Sequence, residues 1–287
     1  MSMGTPWLLA RDINLGTSVA GVLKMYTGMA MTEYEHQMNE AGWVIFEKAV
    51  DDDLVAEMKA DVFKWIDICE SYQVKRGLND AGDGTAHQTV GGNDSLDRFY
   101  HMHLFHDYIA RYFDEKPYTL CCSTPTAGYA RKRNYLHSVH RDIGTYIPGY
   151  KARLNMIVML DDFTVENGAT QILPGSHLTE KKPTDEEFEA NLVPVTGPAG
   201  SVVFFNSYLW HRGGQNKTED TRVALTSGFT RPFIKPQMDY ARMLGEEYGR
   251  NLSALTRQLL GYNSRVPVNL DEWYQPDVER FYQKGQG

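Results

Sequence analysis

Residues 137–177, HSVHRDIGTYIPGYKARLNMIVMLDDFTVENGATQILPGSH, decide how this chain is read. His140 and Asp142 stand two positions apart, and an extended strand turns such residues to the same side. One imidazole nitrogen and one carboxylate oxygen are thereby offered to a single point. A third ligand lies further on, because His211 follows the apolar run 201–205 close to where that strand should end. Each of the three could instead be a hydrogen-bonded core residue. Together they form two His and one carboxylate on one face of a metal, the arrangement used by non-haem Fe(II) oxygenases.

The segment after His211, Arg212-Gly213-Gly214-Gln215-Asn216-Lys217-Thr218-Glu219-Asp220, is polar and glycine-bearing and reads as a turn. Arg222-Val223-Ala224-Leu225 then opens another apolar strand, so a hairpin is expected in which Arg222 sits across from His211. A guanidinium inside a closed barrel needs an anionic partner, because unpaired buried charge is costly. The distal carboxylate of 2-oxoglutarate would serve, gripped by a two-pronged charge-assisted contact. A structural ion pair with an acid such as Asp220 is the alternative.

This ordered set resembles the phytanoyl-CoA dioxygenase (PhyH-like) family of Fe(II)/2-oxoglutarate oxygenases. The set comprises HxD at His140–Asp142, ENGATQILPGSH from Glu166 to His177, Trp210-His211, and Arg222 eleven residues on. It covers roughly residues 40 to 240. The resemblance implies a mainly β fold with flanking helices, a double-stranded β-helix of the jelly-roll, cupin-like kind. It also implies Fe(II) held by His140, Asp142 and His211, with 2-oxoglutarate anchored by Arg222, and O₂ as co-reactant. Succinate and CO₂ would be released as an unactivated C–H bond of a small metabolite or natural-product intermediate is oxidised. Related halogenases have a small residue where Asp142 stands, so hydroxylation, or desaturation or cyclisation, is favoured over halogenation. The alternatives are an acyl-CoA hydroxylase of the same family and a metal-dependent jelly-roll enzyme that does not use 2-oxoglutarate.

Three further residues are candidate cosubstrate contacts. His137 lies on the segment where relatives place a His or Gln near the cosubstrate, although strand alternation could point it away. Thr170, after the NGA turn, could donate its hydroxyl to a 2-oxoglutarate carboxylate or be an ordinary strand threonine. Asn155 could reach the cosubstrate from the barrel interior or satisfy backbone. Arg141 should face away from the ligands, Tyr208 and Trp210 read as packing or pocket wall, and His177 has no role that spacing reveals.

Composition is that of a globular enzyme. Of 287 residues, 42% are hydrophobic and 23% charged, which suits one large β-domain spanning 1–287. The net charge of −8 disfavours nucleic acid and anionic membrane surfaces, leaving a small-molecule substrate as the partner. Arg131-Lys132-Arg133 is the one dense basic cluster. Cys69, Cys121 and Cys122 form no disulfide framework. No apolar run approaches the roughly 18 residues of a membrane span, and no secretory, myristoyl or peroxisomal address is read, so a cytoplasmic location is expected. No feature specifies an oligomeric state.

Taken in order, residues 1–30 have no clear period. N-terminal helices are expected over about 31–115. The first is Thr32 to Ala41, with a Thr32/Glu35 capping-box spacing. A strand at 43–46 follows, then a helix that starts at the acidic run 51–53. A polar loop at 75–95 is either connector or lid. A helix then runs from Ser95 to Phe113, on which His101 and His103 point to nearly opposite sides and cannot share an ion. The barrel core occupies about 118–232, with strands at 118–124, 126–131, 135–141, 152–160, 169–173, 201–205 and 222–229. A helix is expected at Asp185 to Asn191. A C-terminal appendage over about 237–287 carries a helix from Ala241 to Leu260, weakened by Gly245 and Gly249 and stopped by Gly261.

Overall fold

The structure is a computed structural model that describes residues 26, 28–78, 83–130 and 135–286. The basic cluster Arg131-Lys132-Arg133 and most of the lead-in at 1–30 lie outside the described residues. In chain order the elements are α1 (Met31–Glu40), β1 (Trp43–Phe46), α2 (Asp52–Arg76), α3 (Ser95–Met102), α4 (His106–Tyr112), β2 (Thr119–Gly128) and β3 (Arg153–Met159). Then come β4 (Gln171–Ile172), α5 (Asp185–Asn191), β5 (Val193–Pro194), β6 (Val202–Asn206), β7 (His211–Arg212), β8 (Arg222–Thr230), α6 (Tyr240–Arg250), α7 (Ala254–Leu259) and α8 (Leu270–Trp273).

Two antiparallel sheets form the barrel, a large one ordered β1-β6-β3-β8-β2 and a small one ordered β5-β4-β7. β3 and β6 are buried along their whole length. Alternation then sorts their side chains between two cores. Leu154, Met156, Val158, Phe204, Val223 and Leu225 face outward, where Leu54, Met58 and Val62 of α2 and the aromatic group Phe46, Phe105 and Tyr108 cover them. Ile157, Met159, Val203, Phe205 and Ala224 face inward and meet Ile172 of the small sheet, with Phe163, Val195 and Leu209. The inward face therefore also contains Arg153, Asn155, Arg222 and Gly228, each an even number of residues from a member of the inner core.

Several expected boundaries move for identifiable reasons. The strands at 118–124 and 126–131 are one strand, β2, bulged between Leu120 and Cys122. Pro125 does not interrupt it because β2 is a sheet edge, where a missing donor is tolerated. The 135–141 segment is a 3-10 turn at Tyr135–His137 followed by irregular chain, not a strand. The expected helix Ser95–Phe113 breaks at His103, whose φ is +50. The expected helix Ala241–Leu260 is α6 and α7, with Gly245 at φ +81 inside α6. α1 begins after Ala30 without a side-chain cap, so Thr32/Glu35 is not a capping box. Thr184/Glu187 is one, and it opens α5 at the expected residues. The N-terminal region also supplies a strand to the main sheet, since β1 pairs β6 from Trp43↔Phe205 to Phe46↔Val202.

The left-handed break at His103 has a pH consequence. Burial, reinforced by neighbouring His106 and His101, pushes the His103 imidazole from 6.5 down to about 4. The unfolded chain then binds more protons than the folded one between those values, so stability rises with pH across this window. Asparagine tolerates a positive φ and does not titrate. His103→Asn is expected to flatten the rise in melting temperature between pH 4 and pH 6.5 in thermal unfolding scans; an unchanged slope contradicts this assignment.

Candidate active site

The catalytic face is assembled by backbone pairing between two irregular segments. His140 N donates to His211 O at 3.0 Å, and His211 N returns a bond to His140 O at 3.1 Å. Asp142 N donates to Ser207 O at 3.3 Å, so the His140–Asp142 segment runs beside 207–211. The expected hairpin between β7 and β8 does not exist, because β7 pairs with β4 in the small sheet while β8 lies between β3 and β2 in the large one. Arg222 and His211 thus belong to opposite walls of the barrel.

His140, Asp142 and His211 each offer a ligand atom, and these atoms lie within 4.8 Å of one another. They are the sole such cluster of His, Cys, Asp or Glu among the described residues. Both imidazoles are oriented in the same way. Nδ1 of His140 bonds Ser138 O at 2.7 Å and Nδ1 of His211 bonds Leu209 O at 3.0 Å. Donation from Nδ1 fixes the tautomer and leaves each Nε2 lone pair for a metal. Those Nε2 atoms stand 3.7 Å and 3.9 Å from the two Asp142 oxygens.

Asp142 is the charged centre of the group. Burial pushes its carboxyl up, but His211, Arg153, His140 and the Asn155 hydrogen bond together outweigh burial and hold it below the ordinary 3.8. Burial lowers the His211 imidazole, against the pull of Asp142, so it stays neutral and able to ligate. Asn155 Nδ2 donates to Asp142 Oδ2 at 2.5 Å, and Asn155 Oδ1 accepts from Arg153 Nε at 2.9 Å. Two imidazoles and one ionised carboxylate suit ferrous iron.

Arg222 occupies the other end of the inward face. Its Nη1 donates to Gly168 O, its guanidinium lies 4.3 Å over the Phe163 ring, and its buried Nε has no partner. No carboxylate contacts it among the described residues, which excludes the ion pair with Asp220 that the sequence left open. Asp161 is in electrostatic reach, but its oxygens are taken by Lys59 and by Val223 N. Burial lowers the Arg222 guanidinium to about 10. Gly168 must be glycine here: its φ is +83, and a Cβ would meet Gly214 O at 2.4 Å. Arg222 and His137 line one cleft with Thr126, Leu136, Gly213 and Asn216. Thr170 sits two residues before inward-facing Ile172 on the same wall, and its hydroxyl makes no hydrogen bond among the described residues.

The remaining candidates take structural positions. His177 Nε2 bonds Asn39 O at 3.2 Å and packs on Gly42, tying the PGSH turn to the end of α1. Ser176 of the same turn accepts a bond from Trp210 N at 2.9 Å and so steadies the approach to His211. Arg141 faces away from the ligands, as alternation predicts, donating to the carbonyls of Ser176, Thr179 and Glu180 and lying 4.5 Å over Trp210. His103 bonds Thr256 Oγ1 at 2.9 Å, and the helix break separates it from His101 as a ligand partner. Arg153 was not read from the sequence; its position two residues before Asn155 on a strand is the pattern that places both on the inward face.

A large antiparallel sheet facing a small one, with a His-Asp-His cluster between them, defines a double-stranded β-helix of the cupin-like oxygenase class. Residues 38–224 match the Phytanoyl-CoA dioxygenase (PhyH) family, and the chain belongs to it. An uncharacterized protein of Mycobacterium tuberculosis is 44% identical over 153 residues, 53% of this chain and 56% of that protein. The Aspergillus fumigatus dioxygenase af480 is 32% identical over 149 residues, 49% of this chain and 47% of that protein. The chain spans about half the length of the curated relatives it matches. EctD from S. alaskensis shares the fold at TM-score 0.59 and 18% identity, over 75% of this chain and 82% of its own. The non-heme alpha ketoglutarate dependent epimerase SnoN from nogalamycin biosynthesis does so at TM-score 0.53 and 19% identity, over 70% and 80%.

Asn155 orients the carboxylate from behind, so its amide should matter to metal affinity. Asn155→Leu is expected to weaken Mn(II) binding by about ten- to a hundredfold in calorimetric titration, the range for partners that orient metal ligands. Unchanged affinity contradicts the orienting role.

Proposed function

We propose that this protein is an Fe(II)- and 2-oxoglutarate-dependent dioxygenase. It hydroxylates an unactivated C–H bond of a small metabolite or natural-product intermediate and releases succinate and CO₂. The observation that carries this reading is Arg222: a guanidinium buried on the barrel's inner face, with an unpartnered Nε and no carboxylate against it among the described residues. Such a group is stable only with an anion beside it. The dioxygenase names of the fungal relatives support the same class of chemistry.

Ferrous iron with 2-oxoglutarate and O₂ supplies the oxidising power for attack on a C–H bond. The chain's part is to hold and orient. His140, Asp142 and His211 would hold the metal. Arg222 grips the distal carboxylate of the cosubstrate, which fixes its keto-acid end toward the metal. The Thr170 hydroxyl is a further donor on the opposite wall, beside Ile172 of the small sheet, His137 borders the cleft beside Arg222, and Asn155 acts through Asp142. Phe163, Leu209 and Ile172 keep water from the interior, where charge–dipole contacts are strongest. A carboxylate at Asp142, where related halogenases have a small residue, favours hydroxylation over halogenation. An isomerase or an oxygenase without 2-oxoglutarate leaves Arg222 unexplained.

Arg222→Met should weaken 2-oxoglutarate binding to the Mn(II)-loaded protein by about a hundredfold or more, since one partner of a buried charge pair is lost. Mn(II) affinity should be unchanged, and Arg222→Lys should fall between. Equal 2-oxoglutarate affinity in wild type and Arg222→Met contradicts the proposal.

A further inference from the structure

A second guanidinium lies inside the barrel. Arg153 opens β3 on the inward face with only 8% of its side chain exposed. Its Nε donates to Asn155 Oδ1 at 2.9 Å and its Nη2 to Cys122 Sγ at 3.3 Å, a weak acceptor. The nearest carboxylate oxygen is Asp142 Oδ2 at 4.0 Å, on a residue committed to the metal cluster. Nη1 makes no hydrogen bond among the described residues. Space for the group is built in: Gly228 lies on the neighbouring strand, and a Cβ there would stand 2.6 Å from Arg153 Nε.

Strand register places this group relative to the site. Arg153 pairs with Thr230, and Asn155, which holds Asp142, pairs with Gly228. Arg222 lies six residues from Gly228 on the same face of β8, about 20 Å away at about 3.3 Å per residue. The Arg153 guanidinium therefore stands over Gly228 beside the metal cluster, and Arg222 lies further along the strand on the cosubstrate side. Arg153 is too near the metal ligands to reach the distal carboxylate of a five-carbon diacid whose other end is at the metal. Thr230, its cross-strand partner, carries a buried hydroxyl with no hydrogen-bond partner. Cross-strand partners share a face, so Thr230 and its unpaired hydroxyl stand on the inward face next to Arg153, whose guanidinium lies over the neighbouring Gly228.

Charge gives the class of ligand. Fe(II) contributes two positive charges, Asp142 one negative, 2-oxoglutarate two negative and Arg222 one positive, a neutral set. Arg153 adds one further positive charge in a buried place, which favours one compensating anion. We propose that Arg153, with Thr230, is the substrate-anchoring site for a single carboxylate, so that the molecule oxidised is a monocarboxylic acid. This rests on the proposed function above and narrows its substrate class. A planar carboxylate matches the arginine fork, and anchoring one end of the acid at Arg153 presents its carbon chain to the open face of the metal.

The test is calorimetric binding of octanoate and 3-phenylpropanoate, each against its primary amide, to the wild-type Mn(II)–2-oxoglutarate complex. The same titrations are made on Arg153→Met, Arg153→Lys and Gly228→Ala, which displaces the guanidinium without removing its charge. At least one acid should bind wild type about tenfold or more tightly than its amide. That preference should vanish in Arg153→Met, persist in part in Arg153→Lys and weaken in Gly228→Ala, acid and amide being compared within each variant at its own saturating Mn(II) and 2-oxoglutarate. No acid binding up to roughly 10 mM, equal affinity for acid and amide, or a preference that survives Arg153→Met overturns the proposal. So does a parallel loss of metal and 2-oxoglutarate binding in both Arg153 variants, which makes Arg153 a positioning residue for Asp142. Failure of wild type to bind 2-oxoglutarate at all instead refutes the oxygenase reading.

Discussion

A buried carboxylate that must remain ionised is the constraint on which this structure turns. Asp142 lies inside a β-barrel, where desolvation favours its neutral form, and a protonated acid is a poor metal ligand. Four neighbours reverse that preference: His211, Arg153, His140 and the amide of Asn155. They come from three stretches of chain, β3 for Arg153 and Asn155, the 207–211 segment for His211 and the acid's own segment for His140, so the sheet must be complete before the site exists. The pairing of β3 with β6 and β8 sets Asn155 behind the carboxylate, and the His140–His211 backbone pair closes the two imidazoles onto it. The flanking helices serve the same end by covering the outer face of the sheet whose inner face holds the site.

Electrostatics on the inward face is arranged along the strands. One guanidinium stands at each end of β8's path, near Gly168 and Phe163 at one end and near Cys122 and Asn155 at the other, with the acid beside the second. Neither guanidinium touches a carboxylate that is free to pair with it among the described residues. On the proposed reading, these unmatched cations are where anionic ligands would bind, next to the His-Asp-His cluster. The glycines at 168 and 228 are what allow the two long side chains to lie flat against the inner wall.

Much of this was legible in the sequence because it depends on local patterning. The His-Asp-His set, Arg222, β3, β6, β8 and the helix at Asp185–Asn191 could be read from spacing and apolar runs. What was not legible depends on pairing across distant segments. His140 and Asp142 were placed on a strand, yet they sit on irregular chain held by 207–211, because a single backbone bridge substitutes for a ladder. Arg222 was expected across from His211 in a hairpin, but the glycine-rich connection carries the chain from one sheet to the other. The break at His103 was hidden by continuous apolar spacing from Phe99 to Phe113. Arg153 is not legible in the sequence because a charged residue at the start of an apolar run looks like a strand boundary; only the fold reveals that it points inward.

The most direct test of this account is a crystal structure of the protein with Mn(II) and 2-oxoglutarate, grown without oxygen. The account predicts one ion bound by Nε2 of His140, Nε2 of His211 and an Asp142 carboxylate oxygen, with 2-oxoglutarate extending from the ion to the Arg222 guanidinium. An ion elsewhere, or a cosubstrate whose distal carboxylate lies away from Arg222, would contradict it.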